Sequence, residues 1–237
     1  MGGAPGWSED EEALAALQRE LAELAEGVPP WRPRSAQGLA VGGVFVTVPT
    51  GKAGRQAGPG DPAWAAAAVL EGGRLRSTSV VGGSVSGRYE PGYLALQVGP
   101  ILEEAVRALD RPPEVLLVNA TGRDHPRRAG LALHLGAVLD LPTVGVTDRP
   151  LLASGPQPDR ARGSASPLVL EGEVVGFLFR SRRRARPIAV HAAWRTDPDT
   201  ALQVVQSVCL RARTPEPLRQ ARRLAREARA RAEGRLR

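Results

Sequence analysis

The order of secondary-structure elements between residues 74 and 147 restricts the possible folds more than any other feature of the sequence. Apolar spacing predicts helices over residues 92–110 and 129–139. Short β-rich segments precede, separate and follow these helices, at residues 74–83, in "PPEVLLVN" and in "LPTVGVT". Strands joined through a helix run parallel with a right-handed crossover, so this order predicts parallel strands covered by helices.

Three extended segments come first, over residues 38–48, 63–73 and 74–83. A Gly/Pro-rich connection joins the first two, and a tight turn at Gly72 and Gly73 joins the last two, which predicts an antiparallel meander. Three antiparallel strands followed by two parallel ones with intervening helices is the order of the ribonuclease H-like fold. The predicted class is therefore α/β, with a mixed central sheet flanked by helices. A C-terminal hairpin around Gly172, a strand in "RPIAVHA" and helices over residues 197–211 and 215–231 complete the prediction.

The N-terminal helix and the connecting segments allow predictions about boundaries. Ser8 and Glu11 fit a capping box, and leucines at helical spacing predict a helix over residues 8–26 that is closed by Gly27. We interpret residues 1–237 as one domain. Two terminal segments are predicted to be disordered, and two connections are predicted to be flexible loops: residues 1–7, 232–237, 49–62 and 153–166.

The positive charge is concentrated at the C-terminal end. The chain has a formal net charge of +7, and the segment from Arg211 onward contains ten arginines against three glutamates. Such a basic helix either binds phosphates or is a solvated helix face, and the sequence leaves both alternatives open. No apolar run is long enough for a membrane span, and the N-terminus does not resemble a secretory signal, so we expect a cytoplasmic location and no membrane partner. Cys209 is the only cysteine, which fits a reducing compartment.

Several stretches together resemble the endonuclease V family, which nicks DNA, and in some members RNA, near a deaminated adenine. They are "RYEPGYLALQVGPILEEAVRAL", "PEVLLVNATGRDHPRRAGLALHLGAVLDLPTVGV", "RPIAVHAAWRTDPDTAL" and "TPEPLRQAR". They occur in the family's order and at its spacing. The resemblance implies the ribonuclease H-like fold that the order of elements also predicts.

The resemblance also implies a Mg²⁺ site built from acidic residues, and this sequence departs from it. Gly43, Val98 and Asn119 stand at the three acidic positions, and a shift by one residue on the first strand brings no carboxylate into place. Asp148 and Trp194 replace a family Lys and a family His. Mg²⁺ depends on carboxylate charge. We therefore expect no cofactor, and Mg²⁺ only if a rearranged site exists, for which Asp124 and Asp148 are the candidates.

The parts of the family pattern that survive belong to nucleic-acid binding. Tyr89, Pro91 and Gly92 match a turn that acts in the family as a strand-separating wedge, although the Pro-Gly pair also fits an ordinary helix start. The stretch "HPRR" leads in the family into a helix whose N-terminus faces the nucleic acid. The resemblance therefore implies phosphate contacts for the ring and guanidinium groups of three further residues, His125, Arg127 and Arg128.

The preferred interpretation is a catalytically inactive endonuclease V homologue that binds nucleic acid, either DNA or RNA. Two alternatives remain open at this point. One is an active inosine-directed endonuclease with a rearranged metal site. The other is a scaffold that keeps only the fold and binds a protein or a small anion.

Overall fold

A computed structural model describes residues 5–8, 10–33, 38–49, 57–88 and 90–236. Each predicted helix and strand is present, with ends displaced by a few residues. No helix in these ranges is both long enough and apolar enough to cross a bilayer. In chain order the elements are α1 Glu11–Gly27, β1 Val41–Thr47, β2 Pro62–Glu71, β3 Arg74–Ser84, α2 Leu94–Arg107, β4 Val115–Val118, α3 Leu131–Leu139, β5 Thr143–Thr147, β6 Ala165–Leu170, β7 Glu173–Phe179, β8 Ile188–Ala192, α4 Pro198–Val208 and α5 Glu216–Ala232.

All eight strands form one mixed sheet in the order β3-β2-β1-β4-β5-β8-β7-β6. At its centre β1, β4 and β5 run parallel, whereas β1–β2, β2–β3, β5–β8, β7–β8 and β6–β7 are antiparallel pairs. The predicted fold class, an antiparallel meander followed by parallel strands with helices between them, is confirmed. The carboxyl ends of β1, β4 and β5 meet at one edge, which we call the carboxyl edge. Thr147 lies opposite Ala189, so β8 begins at the same edge.

Helices cover both faces of the sheet, and the sheet separates the two largest apolar cores. Along β1, successive side chains point to opposite faces. Val44 packs with residues of α2 and α3, including Val98 and Leu131. Val41 lies in the other core, with α4 residues and Leu218 of α5. Helix α1 adds to the first core through its own leucines, Leu14 and Leu21.

The N-terminal region differs from its prediction in two respects. Asp10, rather than Ser8, is the N-cap of α1, because its carboxylate accepts a 2.8 Å hydrogen bond from the Ala13 N–H directly before the first turn. Trp7, in a segment predicted to be disordered, packs against α2 at Gly99 and donates from its indole Nε1 to Glu103. Residues 1–4 lie outside the described ranges.

Backbone hydrogen bonds also tie down segments that were predicted to be mobile. In the connection over residues 153–166, Ser154 pairs with Val169 through two backbone bonds, and Ser166 Oγ donates to the Pro156 carbonyl. At the end of residues 49–62, Gly60 N–H donates to the Val85 carbonyl, while residues 50–56 are not described. Beyond α5, the N–H groups of residues 233–236 still bond to α5 carbonyls.

Candidate functional site

The first strand places Val44, and not Gly43, at the position that faces Val98. A Cβ on Gly43 would lie 2.5 Å from the backbone of Leu218 and Pro217, so this position faces α5. Val44 is fully buried in the core that contains Val98 and Val118. Gly43 therefore does not face the pocket beside Val98, and which residue of β1 stands at the family's acidic position stays a prediction. The sequence could not settle this, because each register from Gly42 to Val46 lacks a carboxylate.

An apolar pocket of about 150 Å³ lies where β1 and β4 end beside α2. Val44, Val98 and Asn119 line it together, with Phe45 and Leu102 among the other walls. Val98 is 3% exposed, whereas Asn119 follows β4 and is exposed. The structure thus brings two of the predicted positions, Val98 and Asn119, together with Val44 of the first strand. Their side chains offer one neutral amide and no carboxylate.

A second pocket of about 200 Å³ adjoins the first and shares Asn119 with it. Its walls include Glu90, Pro91 and Gly92 from the predicted wedge turn, and His125 from the loop after β4. Pro91 is exposed, and Gly92 has a φ of +85°, a left-handed conformation that favours glycine. Tyr89, the remaining predicted wedge residue, lies outside the described ranges.

His125 is a neutral structural side chain in this arrangement. It is 3% exposed, and its Nδ1 accepts a hydrogen bond from the Arg127 N–H at 3.2 Å. That leaves Nε2 as the donor to the Gly92 carbonyl at 3.1 Å. Burial, followed by the positive charge of Arg127, lowers the pKa of His125 to about 4. The implied role as a phosphate donor does not match this geometry, since the single N–H of the ring is already bonded.

Arg127 also makes its main contacts inside the protein. Its Nε donates to Gln18 of α1 at 2.6 Å, and one terminal nitrogen donates to the Gly92 carbonyl at 2.9 Å. The guanidinium lies 4.4 Å above the ring centroid of Tyr93. Arg127 therefore joins the wedge turn to α1. Two of its guanidinium nitrogens are thus already bonded within the fold, and its contact with a phosphate stays a prediction.

Arg128 turns away from the pocket. It adopts a left-handed backbone conformation with a φ of +57°. Its guanidinium bonds to the carboxylate of Glu173, at the start of β7, and approaches the Leu170 carbonyl. Only 24% of its side chain is exposed. The "HPRR" stretch thus connects neighbouring segments of this fold through its two arginines.

The two carboxylates considered for a rearranged metal site are both engaged with other groups of the protein. Asp124 is fully buried and accepts hydrogen bonds at 2.7–2.8 Å from the N–H groups of Leu151, Leu152 and Ala153. Asp148 is exposed and paired with Arg213, whose hydrogen bond lowers the pKa of this carboxyl. The described ranges contain no group of three or more His, Cys, Asp or Glu side chains that could hold a metal.

A buried polar group that the sequence prediction missed lies beneath the second pocket. His191 is fully buried in β8, and its Nε2 is 2.8 Å from Thr147 Oγ1, which lines the pocket. Its Nδ1 lies 3.5 Å from Asp124 Oδ2 without hydrogen-bond geometry. Burial lowers the pKa of His191 to about 4, so the ring is neutral at pH 7. A histidine within the apolar strand "IAVHA" was the available signal.

Trp194, at the family's histidine position, belongs to the core. It is 6% exposed and packs with residues of α2 and α3, and a Cβ on Gly136 would lie 2.4 Å from its own Cβ. Within the described chain, its buried indole nitrogen has no hydrogen-bond partner. Trp194 therefore stabilises the helix–sheet contact and lines neither pocket at the carboxyl edge.

Comparisons with known proteins agree with the resemblance found in the sequence. The family model described as Endonuclease V matches residues 37–223. Endonuclease V of Methanopyrus kandleri is 42% identical over 172 residues, which are 72% of this chain and 74% of that protein. Endonuclease V of Streptomyces avermitilis is 35% identical over 231 residues, 94% of each.

Two solved structures support the same relationship at the level of the fold. The crystal structure of the Streptomyces avermitilis protein has a TM-score of 0.84 at 33% identity and covers 96% of both chains. The catalytic domain of human endonuclease V has a TM-score of 0.79 at 30% identity, covering 95% of this chain and 99% of that one.

Proposed function

This chain belongs to the endonuclease V family, and we propose that it is a member that binds inosine-containing nucleic acid without metal-dependent cleavage. One observation carries the proposal. Val44, Val98 and Asn119 line a single pocket where β1 and β4 end. We take these three residues to stand at the family's acidic positions, because they line one pocket and include two of the positions that the sequence predicted.

The residues in this pocket do not fit Mg²⁺. Mg²⁺ dehydrates reluctantly and is held in proteins by carboxylate oxygens. Val44 and Val98 are buried aliphatic side chains, and the Asn119 amide supplies at most one neutral oxygen. Without a cation there is no preorganised positive charge for the transition state of phosphoryl transfer. We therefore derive no cleavage step through a metal in this protein.

The pocket that adjoins the first supports the binding part of the proposal. Asn119 is exposed, lines both pockets and makes no hydrogen bond to other described residues, so its amide is free to donate and accept. Hypoxanthine, the base of inosine, presents a ring N–H beside a carbonyl oxygen, which one amide group can match. Enzymes that act on a base turn it out of the stack into such a pocket.

A structure of a more distant protein supports the choice of ligand. Ciona intestinalis endonuclease V has been solved in complex with a 24mer DNA containing an inosine. It shares 19% identity with this chain at a TM-score of 0.73, so the likeness concerns the fold. We place the inosine at the pocket formed by Gly92, Asn119 and Thr147.

A paired assay of binding and cleavage tests the proposal. The protein is incubated with an inosine-containing duplex and with the adenine-containing control, in Mg²⁺ or Mn²⁺ and with a chelator. The Streptomyces avermitilis homologue is assayed alongside. We expect tighter binding of the inosine duplex and no nick above background. Cleavage that disappears with the chelator would contradict the loss of activity, and equal or absent binding of the two duplexes would contradict the proposed ligand.

Rebuilding the acidic positions supplies a second test of the same pocket. Val44→Asp with Val98→Glu and Asn119→Asp places three carboxylates where the apolar pocket now lies. We expect the triple variant to gain thermal stability on addition of Mn²⁺, since bound metal relieves the repulsion among buried carboxylates. Asn119→Asp alone serves as the control, because one exposed carboxylate adds little affinity. If the triple variant is folded and shows no metal-dependent shift, these three positions do not form the site.

A further inference from the structure

The loop between β7 and β8 is rich in exposed arginines. We call residues 181–187 the arginine loop. Its four arginines are exposed, and within the part of the chain that the structure describes their guanidiniums make no hydrogen bond or ion pair: Arg182, Arg183, Arg184 and Arg186. Four unpaired cations within seven residues repel one another, so the fold itself gives no reason to place them together.

Two further exposed arginines extend this charge. Arg211 shares with Arg182 an open groove of about 580 Å³. The Arg160 carbonyl accepts the Arg184 N–H at 3.2 Å, so these two residues are neighbours. Neither Arg160 nor Arg211 has a hydrogen-bonded partner for its guanidinium elsewhere in the described chain.

The carboxylates near the arginine loop include two that are already paired with other arginines. Asp148 is paired with Arg213, although Arg186 also helps to lower the pKa of Asp148. Glu216, in the groove, is paired with Arg219. Asp159 is exposed and contributes its backbone carbonyl to Arg180. The surface therefore keeps a strong positive potential that a polyanion would neutralise.

The backbone of the arginine loop is held in place by two other arginines. Arg180 is 8% exposed and donates to the Ala185 carbonyl and to the carbonyls of Pro158 and Asp159. Arg213 donates to the carbonyls of Arg186 and Pro187. These bonds fix the loop before any ligand arrives, so that binding need not order the backbone.

The arginine loop also lies at the same edge of the sheet as Asn119. It leads into β8 at Ile188, and Thr147 at the end of β5 lies opposite Ala189, so it lies at the carboxyl edge. β4, which ends before Asn119, is two strand positions from β8 in the sheet. Two strand spacings are about 10 Å. Along a nucleic-acid strand this distance corresponds to roughly three nucleotides.

We propose that the arginine loop is a second nucleic-acid contact. Its guanidiniums bind phosphates of the strand whose inosine occupies the second pocket, at Asn119, and which extends from there along the carboxyl edge. The inference rests on the proposed function, because it takes the nucleic acid as the ligand. Arginine forks match phosphate geometry. A lipid surface fits less well, since Ser181, Ala185 and Pro187 give the loop no large apolar side chain to insert into a bilayer.

Two variants with the same change in net charge test this location. The loop variant carries Arg182→Gln, Arg183→Gln and Arg186→Gln. The helix variant carries Arg223→Gln, Arg226→Gln and Arg231→Gln, which are exposed on α5. Affinity for the inosine duplex and for the adenine duplex is measured over a series of salt concentrations, with the melting temperature as the control for folding.

We expect the loop variant to bind both duplexes at least about 100-fold more weakly at about 0.1 M salt, with an unchanged preference for inosine. The slope of log affinity against log salt should fall by roughly 2 to 3, since each lost phosphate contact removes about 0.9. The helix variant should change the slope by less than about 1. If the loop variant is unfolded, Arg183→Gln alone should lower the slope by about 1.

The possible failures are distinguishable. A wild-type protein that prefers inosine, together with equal slopes for the two variants, overturns the loop contact and leaves the proposed function intact. A wild-type protein that binds neither duplex overturns both. Preferential binding of phosphatidylserine vesicles, lost in the loop variant, would assign the arginines to a membrane surface and also overturn the nucleic-acid contact.

Discussion

Two arginine-containing loops of this protein use their positive charge in opposite ways. In the loop after β4, Arg127 and Arg128 bond to Gln18, to the Gly92 carbonyl and to Glu173. In the arginine loop, the guanidiniums are exposed and make no hydrogen bond or ion pair among the described residues. The resemblance implies nucleic-acid contact for the first loop and for no residue of the second. An arginine that the fold has already bonded has fewer free N–H donors to offer a ligand.

In the C-terminal helix, α5, some arginines are paired and others are exposed, so their bonding is intermediate between those of the two loops. Three of its arginines pair with glutamates one helical turn away, as Arg219–Glu216, Arg223–Glu227 and Arg229–Glu233. These pairs favour the solvated-face alternative for the basic tail over direct phosphate binding. The phosphate alternative remains a prediction, which the helix variant described above also tests.

The largest expected effect is on the pH dependence of the free energy of unfolding. The buried histidines contribute to it, and the exposed arginines do not. Burial lowers the pKa of His125 and of His191 to about 4, below the ordinary value of 6.5. As the pH falls, these histidines are therefore protonated in the unfolded chain before they are protonated in the folded protein. Stability is fully present above pH 6.5 and is lost as the pH falls towards 4, by up to about 3 kcal/mol for each histidine.

Chemical unfolding at pH 7, 5.5 and 4.5 measures this loss. In a His125→Gln variant the pH dependence over this window should fall by roughly a third, because burial also lowers the pKa of the remaining histidine, His134. The arginines stay charged throughout and contribute nothing to it. Carboxyls with lowered pKa values, such as Asp148 and Asp197, act only at lower pH. A free energy of unfolding that is constant from pH 7 to 4.5 would show that the histidines are not buried as neutral rings.

The next largest expected effect is on the free energy of unfolding, and it compares an arginine of the loop after β4 with one of the arginine loop. Arg127→Ala removes the bonds to Gln18 and Gly92 and the contact with the Tyr93 ring, so we expect a loss of about 2 kcal/mol in the free energy of unfolding. The matched change Arg183→Ala removes an exposed, unpaired side chain and should cost less than about 0.5 kcal/mol. Urea unfolding of both variants measures the difference. Equal values would mean that the inward bonds of Arg127 add no stability.

The smallest expected effect concerns α5. Arg223→Ala removes one exposed ion pair with Glu227 at i,i+4 spacing, which is worth about 0.3 kcal/mol. We expect an unchanged salt dependence of nucleic-acid binding as well. A drop in that slope of about 0.9 would show that Arg223 contacts a phosphate and that the helix shares the role proposed for the arginine loop.

Much of the fold could be predicted because its signals are local. Helical and strand spacing identify each element, and the alternation of helices with strands identifies the parallel centre of the sheet. Boundaries were less accurate. The capping residue of α1 was misplaced because Ser8 and Asp10 are both good acceptors. Trp7 was missed because its partners, Gly99 and Glu103, lie on α2, more than 90 residues away.

The sequence by itself determined that no residue from Gly42 to Val46, nor Val98 nor Asn119, carries a carboxylate. Only the tertiary structure decided that Val44 faces the pocket. Side chains of β1 alternate between the two faces of the sheet, and the packing of α2 and α5 shows which face each side chain takes. The tertiary structure also decided which arginines are free. Arg127 and Gln18 are 109 residues apart and Arg213 and Asp148 are 65 apart. Hydrogen bonds and ion pairs act at a few ångströms, so a cation's partner depends on which distant segments the fold brings together.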